Sequence, residues 1–118
     1  MSFVIIAAML ASSLPTADIG PKPTMEEFIA LAEPAAASRL REPASATFEW
    51  PYHLLTGPIG YYTCGRVRGR NSRGVYGEIW ISAVVANGRV ANSQTEGSNG
   101  MLAYLCKKMV KKGELVPR

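Results

Sequence analysis

Between Val75 and Val85 apolar and polar positions alternate: Val75, Ile79, Ile81, Ala83 and Val85 fall on one face, and Tyr76, Glu78, Trp80, Ser82 and Val84 on the other. A period of two, rich in β-branched and aromatic side chains, predicts a strand with one wholly apolar face. Upstream, Arg70-Asn71-Ser72-Arg73-Gly74 has turn chemistry, because asparagine tolerates left-handed dihedrals and glycine adopts positive φ without steric cost. Residues 61–68 should therefore return antiparallel to residues 75–83. A three-residue loop, Asn71 to Arg73, would set Arg66 opposite Glu78, Cys64 opposite Trp80 and Val67 opposite Gly77. That register pairs opposite charges across the ladder, and a one-residue slip would swap the faces of the whole strand. Asn87-Gly88 suits the two-residue hairpin whose twist matches its strands, so a third strand is expected from Arg89 to about Ser93.

The flanks change period. Thr24-Met25-Glu26-Glu27 fits a capping box, and Phe28, Ile29, Leu31 and Ala32 follow as a short amphipathic helix. Pro34 is suited to the first turn of a further helical segment over residues 35–41, which Pro43 stops. Residues 47–50 read as a short strand, residues 52–60 as a loop leading to the hairpin, and residues 93–100 as a polar surface loop. From Asn99 as N-cap a last helix runs to Lys112, with Gly113 as its stop. Leu102, Leu105, Cys106, Met109 and Val110 share one face of it, and Lys107, Lys108 and Lys111 lie opposite, where they complement the helix dipole. The plain account of these lysines is a solvated face and a capped end. Together the elements predict an α+β domain: a three- to four-stranded antiparallel meander sheet, one or two N-terminal helices, and a C-terminal helix packed on the sheet.

A chain of 118 residues is one domain, long enough to bury a core without metals or many disulfides. Its folded part is expected over residues 24–113. Residues 1–23 comprise an apolar segment and a Pro-rich linker. The apolar run in Met1–Leu14 is too short to span a bilayer and suits the core of a secretory signal, although no basic residue precedes Lys22. The competing account is an element that packs on the domain or on a second copy. Residues 114–118 form a tail ending in Leu115-Val116-Pro117-Arg118, the remnant expected of a cleaved thrombin site. The net charge of +4 is unevenly placed, since residues 1–50 are acidic on balance and residues 51–118 basic. Such a balance is compatible with nucleic acid, anionic lipid or an acidic partner, and also with a solvated basic face.

Candidate chemistry is sparse. Cys64 and Cys106 are the only cysteines, on the central strand and the last helix; they either bridge in an oxidising compartment or remain free thiols acting as small hydrophobes. His53 is the only histidine, so a multi-histidine metal site is excluded and no cofactor is expected. A Cys64–His53 nucleophile pair lacks an orienting third residue, and the carboxylates Glu42, Glu49, Glu78 and Glu96 show no paired arrangement. Arg66, Arg68, Arg70 and Arg73 with Tyr61, Tyr62 and Tyr76 form the sharpest cluster, since guanidinium groups beside aromatic faces grip phosphates and stack on unpaired bases. The plain alternative is a solvated hairpin end whose arginines deter edge pairing. Gly65 and Gly77 are expected to let a helix approach the sheet closely.

Glu42-Pro43-Ala44-Ser45-Ala46-Thr47-Phe48, then Cys64-Gly65-Arg66-Val67, then Asn71 to Gly77, with a late cysteine at Cys106, resemble a group of short uncharacterised bacterial proteins held to be exported or lipid-anchored. The resemblance covers roughly residues 38–110. It implies export and the pairing of Cys64 with Cys106, and no activity; no cysteine near the N-terminus offers a lipidation site. The expectation is a non-enzymatic periplasmic or secreted module that binds another protein or an envelope component through Tyr62, Arg66, Arg68, Arg70, Arg73 and Tyr76. The alternatives are a cytoplasmic or phage-type nucleic-acid binder using the same residues and, more remotely, a cysteine-dependent hydrolase.

Overall fold

The computed structural model describes residues 18–40, 42–70, 76–97 and 101–118. The expected leader, the hairpin turn at residues 71–74 and the Asn99 cap lie outside them.

Helix α1 (Met25–Ala37) opens on a capping box: Thr24 Oγ1 accepts from the Glu27 amide at 3.1 Å, and Glu27 Oε1 accepts from the Thr24 amide at 3.0 Å. Each closes a backbone donor that the helix itself leaves open. Pro34 does not begin a second segment as expected; the helix runs through it. Proline removes the donor for the Ala30 carbonyl, but Ala30 and Pro34 are both on the exposed side, where solvent is able to take its place. Phe28, Ala32 and Ala36 recur every fourth residue and form the buried stripe. After the helix, a 3₁₀ turn at Pro43–Ser45 leads into the sheet.

The sheet is antiparallel, with β1 (Thr47–Glu49), β3 (Tyr61–Arg70), β4 (Tyr76–Ala86) and β5 (Arg89–Thr95) side by side in that order. A short β2 (Leu55–Thr56) joins the other end of β3. Helix α2 (Leu102–Lys111), whose N-cap is Met101 and not the expected Asn99, completes an α+β fold. β3 and β4 pair in a register offset by two residues from the expected one: Arg68 faces Glu78, Arg66 faces Trp80, Cys64 faces Ser82 and Gly69 faces Gly77. Charge pairing could not discriminate between these registers. Arg68 takes the direct position at 3.0 Å from Glu78, and Arg66 still reaches the same carboxylate diagonally at 3.8 Å. An offset of two keeps every side chain on its face, so the alternation survives.

The second turn is as expected. Asn87 and Gly88 both have positive φ, 52° and 72°, and Ala86 pairs with Arg89 across them. β5 then runs further than expected, because Val85 pairs with Val90 but Val84 with Asn92, which makes Ala91 an extra residue. That bulge turns Ser93 and Thr95 inward, and both are buried; the segment read as a polar surface loop begins as a core-facing strand.

α1 covers the sheet face bearing Tyr61, Val67, Ile81, Ala83 and Val85, and there Phe28 meets Trp50 edge-on with ring centroids 5.4 Å apart. The opposite face carries a second cluster: Tyr52, Cys64, Leu102, Cys106 and Leu115. Gly65 is required by Trp50 and not by a helix, since a Cβ there would stand 2.7 Å from both the Trp50 ring and the Glu49 carbonyl oxygen. A Cβ at Gly77 would meet no atom of the described residues within 4 Å, so no helix approaches closely there.

The folded unit also extends past both ends expected for it. Asn87 donates from its amide to the Ile19 carbonyl at 3.0 Å and from Nδ2 to the Asp18 carbonyl at 2.9 Å, while the Tyr61 hydroxyl donates to the Gly20 carbonyl at 2.7 Å. At the other end Leu115 is 2% exposed in the second cluster, and the His53 amide donates to the Val116 carbonyl at 2.8 Å. Of residues 115–118, expected to be a protease-site remnant outside the domain, Leu115 is buried in the second cluster, while Val116, Pro117 and Arg118 are exposed and tied on by hydrogen bonds and a bridge to Tyr52.

Candidate functional site

Even-numbered positions of β3 and β4 share the face opposite α1, so strand alternation puts Arg66, Arg68, Glu78 and Trp80 together. The Arg66 guanidinium lies 5.2 Å from the centre of the Trp80 ring, a cation–π distance. Trp80 is also stacked on Tyr52, with centroids 6.5 Å apart and planes inclined by 12°. Both arginines converge on Glu78, Glu49 of β1 is the cross-strand partner of Arg66, and the Glu96 carboxylate lies at the Trp80 amide, so the guanidinium groups are matched by neighbouring carboxylates. Arg66 Nε is buried with no hydrogen-bond partner among the described residues.

The sheet positions Trp80 through an unusual continuation of β5. The Glu96 amide donates to the Trp80 carbonyl at 2.9 Å, and Glu96 Oε1 accepts from the Trp80 amide at 2.9 Å. A side-chain carboxylate thus stands in for the next backbone carbonyl of the ladder, and Glu96 is spent on structure.

Of the six residues expected to bind, the structure brings Arg66 and Arg68 together. Tyr62 is on the same face but four residues from Arg66, about 13 Å along the strand, beside β2 and Gly57. Arg70 and Tyr76 form the second ladder pair beyond Arg68 and Glu78, and Arg73 lies outside the described residues. Trp80 and Tyr52 were missed. Trp80 was visible as the large aromatic on the polar side of the β4 alternation, next to Glu78; nothing local linked it to Tyr52.

Cys64 and Cys106 form a disulfide with Cα atoms 6.1 Å apart, and both are buried. The thiol of the Cys64–His53 pair therefore does not exist in this structure, and His53 is exposed. Among the described residues no group of three His, Cys, Asp or Glu side chains is placed to hold a metal, and no helix is long and apolar enough to cross a membrane. A shallow depression of about 350 Å³ lies between α1 and Phe48. Its one carboxylate, Glu33, already accepts from Trp50 Nε1 at 3.0 Å.

No family model matches the chain, and neither curated proteins nor solved structures match it.

Proposed function

We propose that this protein is a non-enzymatic module of an extracytoplasmic compartment, periplasmic or secreted, that binds another protein or an envelope component through the Arg66–Arg68–Trp80 face. The observation that carries the reading is the sharing of one carboxylate, Glu78, by two guanidinium groups beside a half-buried indole. Such a face offers planar donors for carboxylate or phosphate oxygens and an aromatic surface for stacking. The buried Cys64–Cys106 bridge supports an oxidising compartment, because such bonds persist there and are rare in the reducing cytosol. The resemblance to short exported bacterial proteins points the same way.

Compartment and surface are tested together by placing a photo-crosslinking side chain at position 68 in the native host and recovering the adduct from separated cell fractions. A defined extracytoplasmic adduct that disappears with Arg66→Ala supports the reading. A cytoplasmic protein retained on single-stranded DNA, with retention that falls steeply with salt and is lost in the Arg66→Ala, Arg68→Ala double variant, would replace it with nucleic-acid binding.

A further inference from the structure

The outward side of α2 differs from what its sequence suggests. Leu102 and Cys106 are buried and Met109 is half-buried, whereas Leu105, expected on the buried face, is 46% exposed. Met101 and Tyr104, at 56% and 55%, flank it. These apolar side chains occupy the N-terminal part of the outward surface, and Lys107, Lys108, Lys111 and Lys112 follow along it. Lys108 Nζ lies 5.7 Å from the centre of the Tyr104 ring, one turn away, which joins the apolar and cationic parts into one patch.

A solvated lysine face needs no such apolar cluster. Nor can the helix rotate to bury it, because Cys106 is tied to Cys64 beneath and Leu102 is packed between. The helix contains no acidic residue, and no ion pair joins these lysines to any described residue. Glu96 is engaged with Trp80, leaving Glu114, just past the helix, as the adjacent carboxylate.

We propose that this face of α2 is a docking surface for an anionic bilayer, with Met101, Tyr104 and Leu105 entering the headgroup boundary and the lysines lying against lipid phosphates. Charge complementarity selects the anionic surface, and the apolar trio distinguishes a bilayer from a soluble polyanion, which offers nothing for those side chains to enter. Tyrosine is suited to the headgroup level, where its ring and hydroxyl meet different media. A folded domain held by one helix face in this way is peripheral and salt-sensitive. This surface is distinct from the arginine cluster on the hairpin and does not depend on the function proposed for it.

The test is co-sedimentation of the full chain with vesicles of phosphatidylcholine alone or with one third phosphatidylglycerol, near 0.1 M salt, where screening acts over about 10 Å. Binding is expected to the anionic vesicles only. Lys108→Gln with Lys111→Gln should weaken it about 25-fold, at roughly fivefold for each lysine. Leu105→Ser should weaken it about tenfold, as removal of an inserted apolar side chain predicts. Both substitutions are at exposed positions, and an intact Cys64–Cys106 bridge with an unchanged unfolding midpoint shows that the fold is retained. Equal sedimentation of parent and variants, or loss only when Arg66 and Arg68 are replaced by glutamine, overturns the proposal. So does binding to heparin or single-stranded DNA as tight as to vesicles and indifferent to Leu105→Ser, which would make the patch a general polyanion site.

Discussion

Arg118 Nε donates to the carbonyl oxygen of Trp50 at 2.8 Å, and the Arg118 amide donates to the Pro51 carbonyl at 2.9 Å, so the last residue of the chain is tied to the turn after β1. Pro117 lies in a bridge with Tyr52, and Leu115 fills the second core cluster below Tyr52 and Cys106. Leu115→Ala should therefore cost about 2–5 kcal/mol, the range for truncating a buried leucine. Chemical denaturation checks this: the midpoint should fall at unchanged slope. A change indistinguishable from that of an exposed position would mean the tail is not part of the core.

The Cys64–Cys106 bridge closes a loop with a sequence separation of 42 residues. In the chain-entropy account a loop of that length contributes about 4 kcal/mol by restricting the unfolded chain. The unfolding midpoint of the oxidised protein should exceed that of the reduced protein by a corresponding margin. The bridge also clamps α2 to β3, so hydrogen exchange at Leu105 and Cys106 should quicken after reduction. Uniform quickening throughout the sheet would instead show that reduction unfolds the whole domain.

Gly65 meets the Trp50 ring and a backbone oxygen on the same side. Gly65→Ala should destabilise by about 1–3 kcal/mol, the range for overpacking, because neither the strand backbone nor the buried indole can yield easily. Gly77→Ala provides the contrast: among the described residues nothing lies within 4 Å of a Cβ there, which leaves β propensity, and the midpoint should move little. Trp50 fluorescence should shift in the first variant and stay constant in the second.

The Glu27 carboxylate accepts from the Thr24 amide and sits beside the Thr24 hydroxyl, and these hydrogen bonds, the backbone one foremost, hold its pKa below the usual glutamate value. A lowered folded-state pKa contributes stability that is fully present above the unfolded-state value, about 4.3, and is lost as pH falls through the folded-state value. Unfolding of α1 in the parent should thus become easier in that acidic window. Glu27→Gln should remove this part of the pH dependence. Thr24→Ala should cost about 1 kcal/mol at neutral pH, as loss of an N-cap does. An acid transition identical in parent and Glu27→Gln would dissociate the cap from the pH response.

Local signals were enough for the central ribbon and its faces. The β4 alternation, Asn87-Gly88 and the Thr24–Glu27 box each depend on residues a few positions apart, and each formed as expected. Sequence also singled out Arg66 and Arg68, as guanidinium groups clustered with tyrosines along the hairpin. It could not choose between two registers that keep the same faces, because Glu78 satisfies Arg66 in either.

What the sequence determined by itself was the α+β class, the two-faced strands, the capping box of α1 and the Gly113 stop of α2, all governed by dihedral preference and side-chain period. Only the tertiary structure decided that Tyr52 lies on Trp80, that the bulge at Ala91 turns Ser93 inward, that Leu115 is core and that Leu105 is surface. Those outcomes depend on which distant surfaces exclude water together. Periodicity marks a side chain as apolar; the space left by the opposing elements determines whether it is buried.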